Sequence, residues 1–278
     1  MPEIQRGDFT IHYEVTRPGD GRTLLLVAGL GEQIGSVEFP EEQCDAFAAQ
    51  GFRVVRMDNR DCGLSVAKHD TPAYTLHDMA DDVAAVLDDL GVERAHLLGA
   101  SLGGFVVRWV AVRQPERVAS LTVVMSGSAA GPEDDGPALE PSVVARLLGM
   151  AERREPAAAI DHLVEKWRWL WGSAYPFDEG WARTRVEHAF ARAYRPEGIA
   201  RLLQAAARTP GLWQAETQIA CPTLVMHGGE DPCFGPEHAL ATSGRIASAK
   251  LWLDPAMGHI MHREQWGELA ERVSALAG

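Results

Sequence analysis

Ser101 stands in a compact run, Gly99-Ala100-Ser101-Leu102-Gly103-Gly104. The run separates a short apolar strand, Ala95–Leu98, from a helix that continues through Gln114. A chain that turns from strand to helix in so few residues brings backbone against backbone, and glycines on both sides leave the space. The same G-x-S-x-G pattern in that context exposes a serine hydroxyl at the start of a helix, whose N-terminus favours negative charge. The turn therefore demands a sheet whose strands end where helices begin.

The surrounding pattern supplies one. Phe9, Ile11, Tyr13 and Val15 alternate with polar residues, as in a half-buried strand, and Arg17–Gly21 reads as a turn. Leu24–Ala28, Arg53–Met57 and Val118–Met125 are continuous apolar runs, the signature of strands buried on both faces. Helices are expected at Glu41–Gln50, closed by Gly51, and at His77–Leu90, closed by Gly91. Strands alternating with helices predict an α/β fold with a mostly parallel sheet flanked by helices.

After Gly127 the pattern breaks. Gly131–Pro141 is a loop rich in Pro, Gly and acid, and Arg146–Arg208 reads as helix throughout. The alternation resumes with strand Thr223–His227, helix Glu237–Ile246, strand Lys250–Leu253 and helix Gln265–Leu276. The expected organisation is one α/β core in two parts, 1–128 and 215–278, interrupted by a helical lid at 129–214.

Composition narrows the function. With 46% hydrophobic residues the 278-residue chain can bury a large core, which excludes disorder. A net charge of −13 argues against nucleic acid and anionic membrane surfaces as partners. Four cysteines without a C-x-x-C pair, and an N-terminal stretch with no apolar segment, predict a cytoplasmic protein. No apolar run approaches the length of a membrane span. Oligomeric state is not legible.

A serine alcohol needs a base, and the base an orienting acid. In a sheet of this kind both should come from loops after late strands. Asp231 follows Thr223–His227, with Glu230 as the competing acid, and His259 follows Lys250–Leu253. His227 reads as a structural residue. His262, three residues after His259, raises the idea of a metal pair, but no further ligands stand at metal-site spacing. Gly29-Leu30-Gly31 follows a buried strand, yet Ile34 stands where a dinucleotide-binding turn needs glycine. An oxyanion hole fits this loop better, with backbone N–H groups of Leu30 and Leu102 as donors. No metal or organic cofactor is expected.

These motifs, in this order, resemble the α/β-hydrolases over nearly the whole chain. Asp58-Asn59-Arg60-Asp61-Cys62-Gly63-Leu64-Ser65 is similar to that family's D-x-R-G-x-G-x-S loop, with Asp61 in place of the usual glycine, and is expected to be a structural turn. That departure and the Ala-Gly-Leu-Gly start of the first loop resemble the branch containing the aclacinomycin methylesterase. The resemblance implies a serine esterase acting on a small-molecule ester, such as a methyl ester on a polyketide. C–C bond hydrolysis and cofactor-free perhydrolase or haloperoxidase activity use the same triad, and a non-catalytic binding protein is a further alternative. Ala28 stands where many members have His.

The aromatic residues of the insertion, Trp167, Trp169, Trp171, Trp181, Tyr175 and Phe177, fit either a pocket lining or packing of the lid onto the core. Met125 and Ser126 are expected where substrate passes. Cys233, beside Asp231, reads as a small buried residue.

Overall fold

A computed structural model describes residues 2–19, 21–68, 73–128 and 136–276. Asp20 of the expected first turn and residues 131–135 of the acidic loop lie outside that set. Strands β1 (Glu3–Arg6), β2 (Phe9–Arg17), β3 (Arg22–Val27), β4 (Phe52–Met57), β5 (Val66–Ala67), β6 (Ala95–Ala100), β7 (Val118–Val124), β8 (Thr223–Gly228) and β9 (Ala249–Asp254) form one sheet. Its order is β1-β2-β4-β3-β6-β7-β8-β9, with β5 paired to β2. From β4 to β9 all pairings are parallel, while β1, β2 and β5 pair antiparallel. β1 and β5 were not expected from the sequence.

The central strands send alternate residues to opposite layers, as a period of two requires. Leu25 and Val27 of β3 join Leu97 of β6 and Leu121 and Val123 of β7 on one face. Leu24 and Leu26 join Leu98, Val124, Leu224 and Met226 on the other. Helices α2 (Leu76–Asp89) and α3 (Leu102–Arg113) cover the first face with Met79, Val83, Val106 and Val110. Helices α1 (Glu41–Ala49) and α10 (Trp266–Leu276) cover the second with Phe47, Leu269 and Val273. Helix α2 starts on a reciprocal cap in which Thr75 and Asp78 each bond the other's backbone N–H, a device worth about 1 kcal/mol.

Between β7 and β8 come α4 (Pro141–Gly149), α5 (Pro156–Leu170), α6 (Glu179–Arg192), α7 (Glu197–Ala207) and the short α8 (Leu212–Ala215); α9 (Pro236–Arg245) follows β8. The expectation of helix throughout 146–208 is therefore corrected. Prolines start α4 and α5, where a missing N–H costs nothing, and Pro196 precedes α7. Gly172, at φ 75°, ends the run after α5. A proline cannot continue the preceding helical ladder, and the aromatic-rich pattern alone does not show where the chain reverses.

The Asp58–Ser65 loop ties the inserted helices to the core. Asp58 accepts the backbone N–H groups of Ile34 (2.8 Å) and Leu64 (2.9 Å) and pairs with Arg192 of α6 (2.8 Å). Asp61 sits at φ 63°, the left-handed conformation that explains the glycine usual at this place in the motif. Its carboxylate pairs with Arg201 of α7 through two bonds of 2.8 Å and accepts the Tyr74 hydroxyl. Among the described residues no helix is long and apolar enough to cross a membrane.

Candidate active site

The residues singled out in the sequence meet at the carboxyl ends of the parallel strands. Ser101 follows β6 directly, at φ 51° and ψ −117°, and begins α3. A non-glycine residue in that conformation is strained, and such strain persists where the surroundings enforce it. Here they do. Ser101 N donates to Val124 O (2.9 Å), and Ser126 Oγ donates to Ser101 O (2.8 Å). A Cβ on Gly103 would lie 2.0 Å from Val27 O, so α3 reaches β3 only because residue 103 has no side chain.

Arg108 braces this turn from behind. Fully buried on α3, it donates to Gly104 O (3.1 Å), Ser126 Oγ (3.3 Å) and Gly127 O (2.5 Å), and pairs with buried Glu216 at 2.7 Å.

His259 lies five residues beyond β9. Its N–H donates to Leu170 O at 2.6 Å, which ties the end of α5 to this loop. A Cβ on Gly258 would meet Leu170 O at 2.2 Å, so the close approach requires glycine there. His259 Nδ1 lies 2.6 Å from Asp231 Oδ2. The other oxygen, Asp231 Oδ1, accepts the N–H groups of Cys233 (2.8 Å) and Phe234 (2.9 Å). The carboxylate is thus fixed on both sides and shielded from water. Glu230, the competing acid, instead accepts the Ser173 hydroxyl at the surface.

Ser101, His259, Leu30 and Leu102 line a single cavity of about 750 Å³ with Phe105, Leu147, Met150, Trp167, Leu170 and Phe234. The mostly apolar lining suits a small organic molecule. A second cavity, about 590 Å³, adjoins it and shares Glu32, Lys166 and Trp167.

Other expectations resolve in different ways. His227 bonds Phe234 O through Nε2 at 2.8 Å, and burial lowers its pKa, consistent with a structural role. His262 packs against Trp171 and Tyr175. Trp167 lines the cavity, whereas Trp171 packs on Phe177 and Trp181, and Trp169 lies under the Arg146 guanidinium. Met125 and Ser126 do not line the cavity. Met125 is buried in the second apolar layer, and Ser126 supports the serine turn. Asp231, Cys233 and His259 lie within 4.8 Å of one another, close enough for a metal. Yet both Asp231 oxygens already accept N–H groups, and burial pushes the Cys233 thiol up, away from the thiolate a metal needs.

Three ionisable groups in the cavity wall escaped the sequence reading. Lys166 of α5 forms a buried ion pair with Glu32, and Glu38 accepts the Gly29 N–H at 2.7 Å. Only the acid within the apolar Val37-Glu38-Phe39-Pro40 run gave a signal.

Residues 22–264 match the family model described as "alpha/beta hydrolase fold". The chain is 31% identical to the rhodomycin D methylesterase DauP of Streptomyces sp. (strain C5), over 93% of this chain and 91% of that one. It is 30% identical to a 2-hydroxy-6-oxononadienedioate/2-hydroxy-6-oxononatrienedioate hydrolase of Burkholderia vietnamiensis, over 97% and 90%. A local match of 43% identity to the "Putative carbamate hydrolase RutD" of Variovorax paradoxus spans 42% of this chain and 43% of that one. Among solved structures, the enol-lactonase of Burkholderia xenovorans LB400 superposes with a TM-score of 0.78 at 22% identity, covering 99% of both chains.

Proposed function

The chain belongs to the α/β hydrolase fold family, and we propose that it is a serine esterase cleaving a small carboxylic ester, with methyl esters of polyketide-like acids as the substrate class. The observation that carries this reading is the 2.6 Å contact of Asp231 with His259 Nδ1 at a cavity that Ser101 also lines. Ser101 Oγ attacks the ester carbonyl while His259 takes its proton. The Leu30 and Leu102 N–H groups stabilise the oxyanion, a contribution of about 3–4 kcal/mol per donor in well-studied cases. Collapse expels the alcohol, which takes the proton from His259. Water then gives a proton to His259, attacks the acyl-enzyme, and the acid leaves as Ser101 regains its proton. Asp231 holds the imidazole tautomer and stabilises its cation.

The inserted helices, 129–214 by the sequence division, act as the lid of the two-part core and shape the cavity through Leu147, Met150, Trp167 and Leu170. Methyl-ester cleavage is favoured by the apolar wall and by the DauP relationship. C–C bond hydrolysis is the second reading, favoured by the Burkholderia vietnamiensis relative. The test is product analysis on a panel of aromatic methyl esters and vinylogous diketones, with Ser101→Ala as control. Methanol release that Ser101→Ala abolishes supports the esterase. Carbon–carbon scission without ester cleavage replaces it with the second reading.

A further inference from the structure

We propose that Glu38 is a catalytic residue whose neutral carboxyl group donates a hydrogen bond to the developing oxyanion beside Ser101. The inference rests on the reading of Ser101, His259 and Asp231 given above, and it adds a side-chain donor to the two backbone donors.

The geometry places Glu38 on the oxyanion side. Glu38 lines the same cavity as Ser101, Leu30 and Leu102. Glu38 Oε2 accepts the N–H of Gly29, the residue immediately before Leu30. A Cβ at Gly29 would lie 2.9 Å from Glu38 Oε1 and 3.0 Å from Ser101 Cβ. Carboxyl and nucleophile therefore face each other across one glycine. Phe39, the next residue, takes φ 52°, a left-handed conformation unusual for a residue with a side chain.

The electrostatics favour a proton on this group. Glu32, Lys166 and His259 act on it at the cavity, and Arg56 of β4 lines a second, small pocket with it. Lys166 is already paired with Glu32, and Arg56 with Glu14. Burial, reinforced by Glu32, pushes Glu38 up to about 7 against the Gly29 N–H, His259 and Lys166. A neutral carboxyl has one O–H to give. With Oε2 accepting from Gly29, that O–H belongs on Oε1. An apolar site that keeps a carboxylic acid neutral so that it can donate is a known catalytic device. Ionised, the same group would place negative charge beside the oxyanion and oppose it. No proton is transferred; the hydrogen bond strengthens as charge builds on the substrate oxygen.

The experiment measures the rate of Ser101 phosphonylation by a fluorophosphonate from pH 6 to 9, which requires no knowledge of the natural ester. Wild type should react fastest near pH 7 and at least tenfold more slowly at pH 9. Glu38→Gln keeps an acceptor for Gly29 and a donor for the oxyanion, and should hold its rate to pH 9. Glu38→Leu should lose about 100-fold at pH 7, the scale of one lost oxyanion donor. Circular dichroism checks its fold, and the glutamine variant decides if it does not fold. A wild-type rate that stays level or rises to pH 9, or an alkaline fall retained in Glu38→Gln, overturns the role of Glu38 alone. Absence of labelling at every pH overturns the Ser101 reading and this one together.

Discussion

Asp231 holds His259 by a 2.6 Å contact at Nδ1 while its second oxygen is locked by the backbone of Cys233 and Phe234. The carboxylate cannot rotate away, so the imidazole keeps its Nδ1–H toward Asp231 and its Nε2 available as a base. Asp231→Asn preserves the shape but favours the wrong tautomer. It should lower kcat on any cleaved ester by about 10⁴-fold, with an unchanged circular dichroism spectrum. Glu230→Gln should leave kcat within about twofold of wild type, as expected for a residue outside the site.

The serine turn depends on Gly103. Gly103→Ala would drive a methyl group to 2.0 Å from Val27 O, a backbone atom of β3 that has no room to yield. Helix α3 would have to move away from the sheet. Urea unfolding should show a loss of about 2 kcal/mol or more.

Arg108 and Glu216 form a fully buried pair behind the turn. Removing one charge takes the nearest opposite charge from the other, and Arg245, 3.6 Å from Glu216 Oε1, offsets part of the cost. Arg108→Met should destabilise by about 3 kcal/mol. The double variant with Glu216→Leu should be more stable than Arg108→Met, and a double-mutant cycle by urea denaturation reads the coupling.

Stability should bend with pH in a way that separates Glu38 from the buried histidines. Burial lowers His96 and His238 to about 4, below their ordinary 6.5. The stability this contributes is present above pH 6.5 and lost as pH falls toward 4, at most about 3 kcal/mol each. Glu38 runs the other way, because its value rises from 4.5 to about 7. Its contribution is present below pH 4.5 and lost as pH rises through 7. Thermal unfolding should therefore show Glu38→Gln gaining on wild type as pH goes from 5 to 8, while wild type and Glu38→Gln alike lose stability below pH 6.

The serine turn was legible because its constraint is local and steric: a strand, two glycines and a helix allow few arrangements. Asp231 and His259 were legible because strand alternation fixes which loops reach the carboxyl ends of the sheet. Glu38 was hidden because its place depends on the Phe39 backbone and on a hydrogen bond to Gly29, nine residues earlier. Lys166 and Glu32 were hidden for a similar reason, since their pairing depends on how α5 docks onto the first loop. Strand β1 carries one apolar residue and β5 is only two residues long, and their pairing with β2 is set by tertiary contact. Asp61 was noticed as a departure, but its meaning needed Arg201, 140 positions away.

The proposed mechanism requires Ser101 to be an activated nucleophile. Intact mass after incubation of the native protein with a fluorophosphonate, followed by peptide mapping, tests it most directly. The expected result is one stoichiometric adduct on Ser101, absent in Ser101→Ala and strongly slowed in Asp231→Asn. A folded protein that takes no adduct, or carries it on another residue, would contradict the account.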